Sequence, residues 1–181
     1  MGKSREQLIA DDRPAIDTLI GKKDLVGVEI GTDKGYHALN MVGRLNIKKL
    51  YAVDPYISYP ASNSNSFEIE NEDKAMKLRE ESAKNLSGYD NIEMLLVTSE
   101  KAVSYINIPL DFVYIDGDHR YEMVLKDIQL WYPRVKNGGL IAGHDFKIGE
   151  SGVIRAVFQF FGDSFKKDGW DWWHLKGEIN G

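Results

Sequence analysis

Residues 112–146, FVYIDGDHRYEMVLKDIQLWYPRVKNGGLIAGHDF, contain two apolar runs separated by a segment with helical spacing. The runs at 112–115 and 140–142 predict buried strands, and residues 121–132 predict a helix between them. One face of that helix is apolar and consists of Met123, Val124, Ile128 and Trp131. The sequence Asn-Gly-Gly at 137–139 predicts a turn before the second strand. A strand, a helix and another strand in this order indicate a βαβ unit with parallel strands.

The same alternation continues along most of the chain. Further strands are predicted at 25–30, 49–53 and 92–97, and further helices at 36–45, 72–86, 99–106 and 153–161. The strands are apolar throughout rather than alternating, which is typical of a parallel sheet covered on both faces. We therefore predict an α/β fold with a Rossmann-like, doubly wound, mostly parallel sheet.

Length and composition restrict the class of protein. The chain has 181 residues and is expected to form a single domain, 1–181, with an N-terminal helical cap at 1–24 and a candidate lid loop at 55–71. The net charge of −5 provides no broad basic face, so no nucleic-acid partner is expected. The absence of cysteine, of a signal peptide and of a membrane-length apolar run predicts a cytoplasmic protein without a membrane partner.

The first candidate site follows the first two predicted strands. The first strand ends in Glu29-Ile-Gly31-Thr-Asp-Lys-Gly35, and the second ends in Asp54. Glycines permit a tight turn near a ligand, and an acidic residue about 20 positions on can accept hydrogen bonds from ribose hydroxyls. The pattern E-x-G-x-x-x-G lacks the phosphate-binding glycines of a dinucleotide site, so acidic residues here suit a sulfonium-bearing nucleoside better. The alternative is a turn whose glycines serve packing alone.

The second candidate site follows the fourth and fifth predicted strands. Asp116, Asp118 and His119 come after one strand, and His144 and Asp145 come after the other. Because these strands should be neighbours, we expect the side chains to converge at one edge of the sheet. Carboxylates there could hold a divalent cation, and such a cation could lower the pKa of a substrate hydroxyl.

The segments VEIGTDKGY (28–36) and LYAVDPY (50–56) resemble the first two motifs of class I S-adenosylmethionine-dependent methyltransferases. The resemblance implies that Gly31 and Gly35 line the methionine part of the cofactor, with Glu29 at its edge. It also implies that Asp54 holds the ribose and that His37 contacts the methionine carboxylate. Ser99 then matches a position near the adenine, and Asp116 borders the cofactor.

The segment 112–146 closely resembles the macrocin and mycinamicin sugar O-methyltransferases and their cephalosporin-biosynthesis relatives, and more distantly catechol O-methyltransferase. That resemblance implies Mg²⁺ or Mn²⁺ ligands at Asp116 and Asp145. His144 occupies the place of a third, oxygen-bearing ligand, and imidazole suits Mn²⁺ or Zn²⁺ better than Mg²⁺. His119 is the expected general base and Asp116 the other catalytic residue, whereas Asp118 is expected to cap the following helix or to orient His119.

The sequence thus predicts an O-methyltransferase that acts on a hydroxyl of a small sugar or diol. Three alternatives stay open: a metal-independent methyltransferase that uses His119, a non-catalytic S-adenosylmethionine-binding module, and a nicotinamide oxidoreductase. The family's sheet ordinarily ends in an antiparallel hairpin, whereas this chain ends soon after WDWWHL (170–175), so its C-terminal edge is expected to be shortened. A shortened edge would favour a homodimer through the tryptophan-rich surface.

Overall fold

The protein is described by a computed structural model that covers residues 12–57 and 71–178. The seven strands of its single sheet are Leu25–Ile30 (β1), Ile47–Val53 (β2), Ile92–Leu95 (β3), Leu110–Ile115 (β4), Val135–Gly143 (β5), Lys166–Asp168 (β6) and Asp171–Leu175 (β7). The helices are Pro14–Asp17 (α1), Tyr36–Arg44 (α2), Glu72–Leu86 (α3), Ser99–Tyr105 (α4), Tyr121–Trp131 (α5) and Ser151–Phe161 (α6), with a 3₁₀ turn at Tyr132–Arg134.

The strand order is β3-β2-β1-β4-β5-β7-β6, and the first five strands of this order are parallel. The chain builds outward from β1 through β2 to β3, then returns to place β4 on the other side of β1. This reversal creates a crevice at the carboxyl ends of β1 and β4, where open α/β sheets bind ligands. The predicted α/β, Rossmann-like and mostly parallel fold is therefore confirmed.

Both faces of the sheet are covered because side chains alternate along each central strand. On β4, Val113 and Ile115 pack into one buried cluster beneath α4, α5 and α6. Phe112 and Tyr114 point to the opposite face, where they join a second cluster with residues of α1 and α2. Two separate apolar layers thus hold the parallel strands that carry the candidate site.

The prediction of a shortened C-terminal edge is wrong. β6 and β7 form an antiparallel hairpin, and β7 pairs antiparallel with β5, so the sheet does end in an antiparallel hairpin. The sequence of β6, Lys-Lys-Asp, is polar and exposed, and therefore carries no strand pattern. The sheet edge is therefore complete and does not by itself favour a homodimer, which stays a prediction.

Smaller differences concern the ends of elements and the two extra segments. The predicted turn at 137–139 lies inside β5, which begins at Val135 and is irregular opposite the start of β4. Of the N-terminal cap, the described residues contain only one short helix, Pro14–Asp17. Residues 1–11 of the cap and residues 58–70 of the candidate lid lie outside the described residues. Across the described ranges no helix combines the length and the apolar character needed to cross a membrane, and the cytoplasmic location stays a prediction.

Candidate active site

The loops after β1, β4 and β5 meet at the carboxyl edge because hydrogen bonds continue the sheet beyond the strands. The backbone N–H of Asp116 donates to the carbonyl of Ile30 (2.7 Å), and the N–H of His144 donates to the carbonyl of Ile115 (3.1 Å). The sheet pairing therefore fixes where both loops begin. The predicted convergence of the two polar clusters at this edge is confirmed.

Gly31 and Gly35 each have a structural reason to be glycine. Gly31 has φ +86°, and a Cβ there would lie 2.2 Å from the carbonyl oxygen of Asp116. Gly35 has φ +79° and precedes the first residue of α2, with the side chain of Leu86 against it. Glycine is the residue that tolerates this backbone conformation and close approach. Their contact with the cofactor stays a prediction.

Asp54 holds two turns at the end of β2. The backbone N–H of Asp33 donates to its Oδ2 (3.0 Å), and the N–H of Tyr56 donates to its Oδ1 (2.9 Å). Both donor residues have positive φ, +47° for Asp33 and +45° for Tyr56, a conformation that is uncommon for a bulky residue and often marks functional sites. Burial raises the pKa of Asp54, and these backbone hydrogen bonds oppose the rise. A carboxylate has further lone pairs, so Asp54 can still accept a hydrogen bond from a ribose hydroxyl.

Glu29 and His37 form a buried pair behind the crevice. Oε1 of Glu29 lies 2.9 Å from Nδ1 of His37, and the imidazole packs against the ring of Tyr114 with 4.2 Å between ring centroids. Burial, and next the charge of Asp116, raise the pKa of Glu29 well above its usual range, while burial lowers the pKa of His37. Both shifts favour a neutral pair in which the carboxyl O–H donates to Nδ1.

The outer atoms of this pair have no hydrogen-bond partner among the described residues. Oε2 of Glu29 and Nε2 of His37 are both buried and lack a partner with hydrogen-bond geometry, although the nearby hydroxyl of Thr32 acts to lower the pKa of Glu29. An unpaired buried polar atom costs about 1–3 kcal/mol, so such atoms call for a bound partner. A polar ligand at the end of β1 would satisfy them. This fits the predicted cofactor position, although the contact of His37 with a carboxylate stays a prediction.

Asp116, His144 and Asp145 come together as predicted. One ligand atom from each lies within 4.8 Å of the others, so the three can face a common cation. Nδ1 of His144 lies 3.8 Å from Oδ1 of Asp116 and 3.4 Å from Oδ2 of Asp145. The other oxygen of Asp145 contacts Nζ of Lys147. The donor set is therefore two carboxylates and one imidazole.

His119 lies among three carboxylates. Its Nε2 is 3.1 Å from Oδ2 of Asp145 and 3.9 Å from Oδ1 of Asp116, while its Nδ1 is 3.5 Å from Oε2 of Glu150. Glu150 is buried (3% exposed) and precedes α6. Glu150 cannot be recognised from the sequence, because it lies in the polar segment KIGES (147–151), which contains no motif. Nδ1 of His119 thus faces Glu150, and its Nε2 faces Asp145 and Asp116.

The charged groups around His119 raise the pKa of its imidazole and lower the pKa values of the Asp116 and Asp145 carboxyls. Burial lowers the pKa of His119, but the carboxylates of Asp116, Asp145 and Glu150 outweigh it and raise the pKa above its usual value. Burial opposes ionisation of Asp116 and Asp145 as well. The neighbouring histidines, together with Lys147 at Asp145 and Arg13 at Asp116, outweigh it and lower both carboxyl pKa values. Without a bound cation His119 is therefore protonated over a wider pH range than an isolated histidine. It can accept a proton only after losing this one.

The predicted helix-capping role of Asp118 is wrong. The residue before α5 is Arg120, and no side chain caps that helix terminus. Asp118 instead accepts a hydrogen bond from the backbone N–H of Arg120 (2.9 Å) and from its guanidinium. The aspartate prefers this local turn because its short side chain reaches the N–H two residues on.

Ser99 faces the packed helices rather than open space. Its hydroxyl accepts a hydrogen bond from Nε1 of Trp131 (2.8 Å) and also interacts with Asp127 on α5. The hydroxyl of Ser99 is therefore engaged within the fold, and its predicted position near the adenine stays a prediction. Sequence alone could not show this, because Trp131 and Asp127 lie some 30 residues away along the chain.

The buried Asp127 leads to a prediction about stability. Burial raises its pKa to about 6, and the hydrogen bond with Ser99 opposes the rise, so folding favours the neutral acid. That contribution is present below the unfolded pKa of about 4 and is lost as the pH rises through about 6. Asp127→Asn stays neutral, so its stability relative to the native protein should increase by up to about 3 kcal/mol between pH 4 and pH 8. Urea unfolding at several pH values measures this difference, and a difference independent of pH would contradict it.

Arg13 is a site residue that the sequence did not reveal. It lies just before α1, yet its Nη1 donates to the hydroxyl of Tyr114 (3.2 Å) and lies 3.7 Å from Oδ2 of Asp116 and 3.8 Å from Oδ1 of Asp171. Because Arg13 attracts Oδ2 of Asp116, the other oxygen is turned towards the two histidines. The only hint in the sequence is Asp171. It is an acidic residue within an aromatic run, and a buried acid needs a partner.

A family model described as a methyltransferase domain matches residues 28–146, which is more than half of the chain. The chain therefore belongs to the methyltransferase domain family. It is also similar to an uncharacterized protein of Acanthamoeba polyphaga mimivirus, with 28% identity over 126 residues, 70% of this chain and 53% of that protein. The chain thus spans about half the length of the curated relative it matches.

Solved structures share the fold. The calicheamicin methyltransferase CalS11 is 14% identical with a TM-score of 0.65, and 96% of this chain and 79% of that chain are covered. The O-methyltransferase NovP is 16% identical with a TM-score of 0.61 and the same coverage of 96% and 79%. A Streptococcus mutans protein in complex with SAH is 15% identical with a TM-score of 0.63, covering 96% and 98%. At these identities the likeness shows the fold, which is that of class I methyltransferases.

Proposed function

We propose that this protein transfers a methyl group from S-adenosylmethionine to a hydroxyl of a small sugar or diol. The observation that carries the proposal is the position of the Asp116, His144 and Asp145 cluster at the same sheet edge as Asp54 and Gly31. Two further findings support it: the chain belongs to the methyltransferase domain family, and a structural neighbour binds SAH. The resemblance to macrocin and mycinamicin O-methyltransferases stays a prediction.

The cofactor half of the proposal assigns roles to the loops after β1 and β2. Asp54 would accept hydrogen bonds from the ribose hydroxyls, while the turn from Gly31 to Gly35 would lie against the methionine part. The unsatisfied atoms of Glu29 and His37 would gain partners there. The bound cofactor supplies an electrophilic methyl group on a sulfonium. What the protein adds is placement, because a methyl group transfers in line once the acceptor oxygen is close.

The metal half of the proposal rests on the donor set. Asp116, Asp145 and His144 would hold a divalent cation, Mg²⁺ or Mn²⁺, and the imidazole makes Mn²⁺ the better match. The cation supplies Lewis acidity that lowers the pKa of a bound hydroxyl. His119, whose Nδ1 faces Glu150, would then receive the hydroxyl proton at Nε2.

Calorimetric titration with S-adenosylhomocysteine tests the cofactor assignment. We expect one site per chain with a dissociation constant in the micromolar range, and no heat with NAD under the same conditions. Binding of NAD in place of the sulfur cofactor would favour the oxidoreductase alternative. Binding of S-adenosylhomocysteine without turnover, across a panel of glycosides and catechols, would favour a non-catalytic binding module.

Removal of divalent cations tests the metal assignment. EDTA should lower the rate at which S-adenosylhomocysteine is formed by at least about tenfold, and added Mn²⁺ or Mg²⁺ should restore that rate. The reason is that the cation would activate the acceptor hydroxyl. The measurement is turnover with and without chelator on one preparation. Activity that EDTA leaves intact and that neither ion changes would sink the metal claim.

One observation favours a metal-independent methyltransferase as the second candidate. Lys147 contacts Asp145, and Arg13 lies 3.7 Å from Asp116, so protein cations already partner both carboxylates. In that case His119 and Glu150 would remove the proton without Lewis-acid help. The chelator experiment separates the two candidates directly.

A further inference from the structure

The four tryptophans of the chain, Trp131, Trp170, Trp172 and Trp173, have different environments. Trp131 and Trp172 are fully buried in the apolar core, whereas Trp170 is 56% exposed. Trp170 therefore lies outside the core. Because single exposed aromatic side chains are common on protein surfaces, its position, and not its exposure alone, decides what it can do.

Topology places Trp170 beside the candidate active site. β7 runs antiparallel to β5 and Trp172 pairs with Gly143, so Trp170 lies beyond the carboxyl end of β5. There the backbone N–H of Phe146 donates to the carbonyl of Trp170 (2.9 Å). The hairpin that is absent from the sequence-based prediction thus brings an indole next to His144 and Asp145.

The ring of Trp170 contacts the polar cluster from one side. Its centroid lies 5.8 Å from that of the His144 ring, and Nζ of Lys147 lies over it at 4.2 Å. The same Lys147 contacts Asp145. A partly exposed cation over an indole contributes on the order of 1 kcal/mol, so a ligand with a better-fitting face can replace it.

The backbone beneath Trp170 is held in place. The next residue, Asp171, is buried and accepts hydrogen bonds from the hydroxyl of Tyr114 (2.6 Å) and from the N–H of Ala15 (3.1 Å). A ring on a fixed backbone loses little conformational entropy when a ligand stacks on it. Trp170 is thus a half-exposed, preorganised aromatic surface at the edge of the cluster.

We propose that Trp170 is the surface on which the methyl acceptor stacks, and that the acceptor is a ring bearing neighbouring hydroxyls. The ring lies against the indole, and its hydroxyls face Asp116, His144 and Asp145. Both the C–H face of a sugar and the π face of a catechol pack well on an indole. This inference rests on the proposed function and adds to it the shape of the acceptor.

Nuclear magnetic resonance of the indole N–H groups tests the inference on protein saturated with S-adenosylhomocysteine and MgCl₂. Four indole signals are expected, and Trp170→Phe identifies the one of interest. The probes are catechol, methyl β-glucopyranoside and erythritol, a polyol without a ring. We expect one ring probe to shift the Trp170 signal at millimolar concentration and erythritol to leave it unchanged. The ring probe that acts distinguishes an aromatic acceptor from a sugar.

Variants provide the control. Trp170→Ala should weaken binding of the active ring probe about tenfold, Trp170→Phe should keep most of it, and neither should change S-adenosylhomocysteine affinity. Tyr105→Ala is the matched control, since Tyr105 is 67% exposed at the end of α4, on the opposite edge of the sheet. If neither ring probe moves the Trp170 signal, or if Trp170→Ala binds as well as the native protein, the inference fails. If the native protein did not bind S-adenosylhomocysteine at all, the proposed function itself would be refuted.

Discussion

Asp54→Ala should weaken S-adenosylhomocysteine binding by at least about 100-fold, because in the proposed complex the ribose would lose two hydrogen bonds to a charged acceptor. The change also removes the acceptor for the N–H groups of Asp33 and Tyr56, which hold two turns with positive φ. Both effects concern the proposed cofactor position at the ends of β1 and β2 and leave the cluster of Asp116, His144 and Asp145 unchanged. Titration calorimetry on the purified variant measures the affinity.

Two comparisons make this result specific. Asp54→Asn retains one carbonyl oxygen and should lose less affinity, about tenfold, which separates loss of charge from loss of the acceptor. Asp90→Ala, an exposed aspartate just before β3 at the opposite sheet edge, should bind as the native protein does. Unchanged affinity in Asp54→Ala, with an intact thermal transition, would overturn the position of the cofactor.

Asp116→Asn should lower kcat about 1000-fold while S-adenosylhomocysteine affinity changes only a few-fold. The substitution preserves shape but removes the charge that faces His119, His144 and Arg13. A cation would then lose one of its carboxylates, and the protonated His119 would lose a partner. Turnover of the best acceptor in the panel gives kcat, and calorimetry with MnCl₂ gives metal affinity independently of turnover.

Glu122→Gln is the matched control for Asp116→Asn, since Glu122 is an exposed acid in the first turn of α5. Its kcat should equal that of the native protein. If Asp116→Asn had the same kcat as the native protein, Asp116 would have no role in the reaction, whether or not S-adenosylhomocysteine affinity changed.

The sequence predicted the fold well because the central strands are apolar on both faces. β1, β4 and the helix between β4 and β5 have the periodicity that burial in a parallel sheet requires. The terminal hairpin was missed because β6 is three polar residues that pair only through their backbone. Backbone pairing of this kind is not encoded in hydrophobic periodicity.

The candidate site was predicted where each residue follows a strand and missed where contacts come from far along the chain. Asp116, His144 and Asp145 follow two neighbouring strands, so sheet order alone brings them together. Arg13 reaches Asp116 across more than 100 residues, and the partner of Glu150 is set by how α6 packs. Such contacts depend on tertiary packing, which local patterns do not specify.

A crystal structure with S-adenosylhomocysteine and MnCl₂ tests the central claim most directly. We expect the ribose hydroxyls against Asp54 and an anomalous manganese peak among Asp116, His144 and Asp145. A ribose bound away from Asp54, in a structure where S-adenosylhomocysteine is otherwise well ordered, would contradict the account.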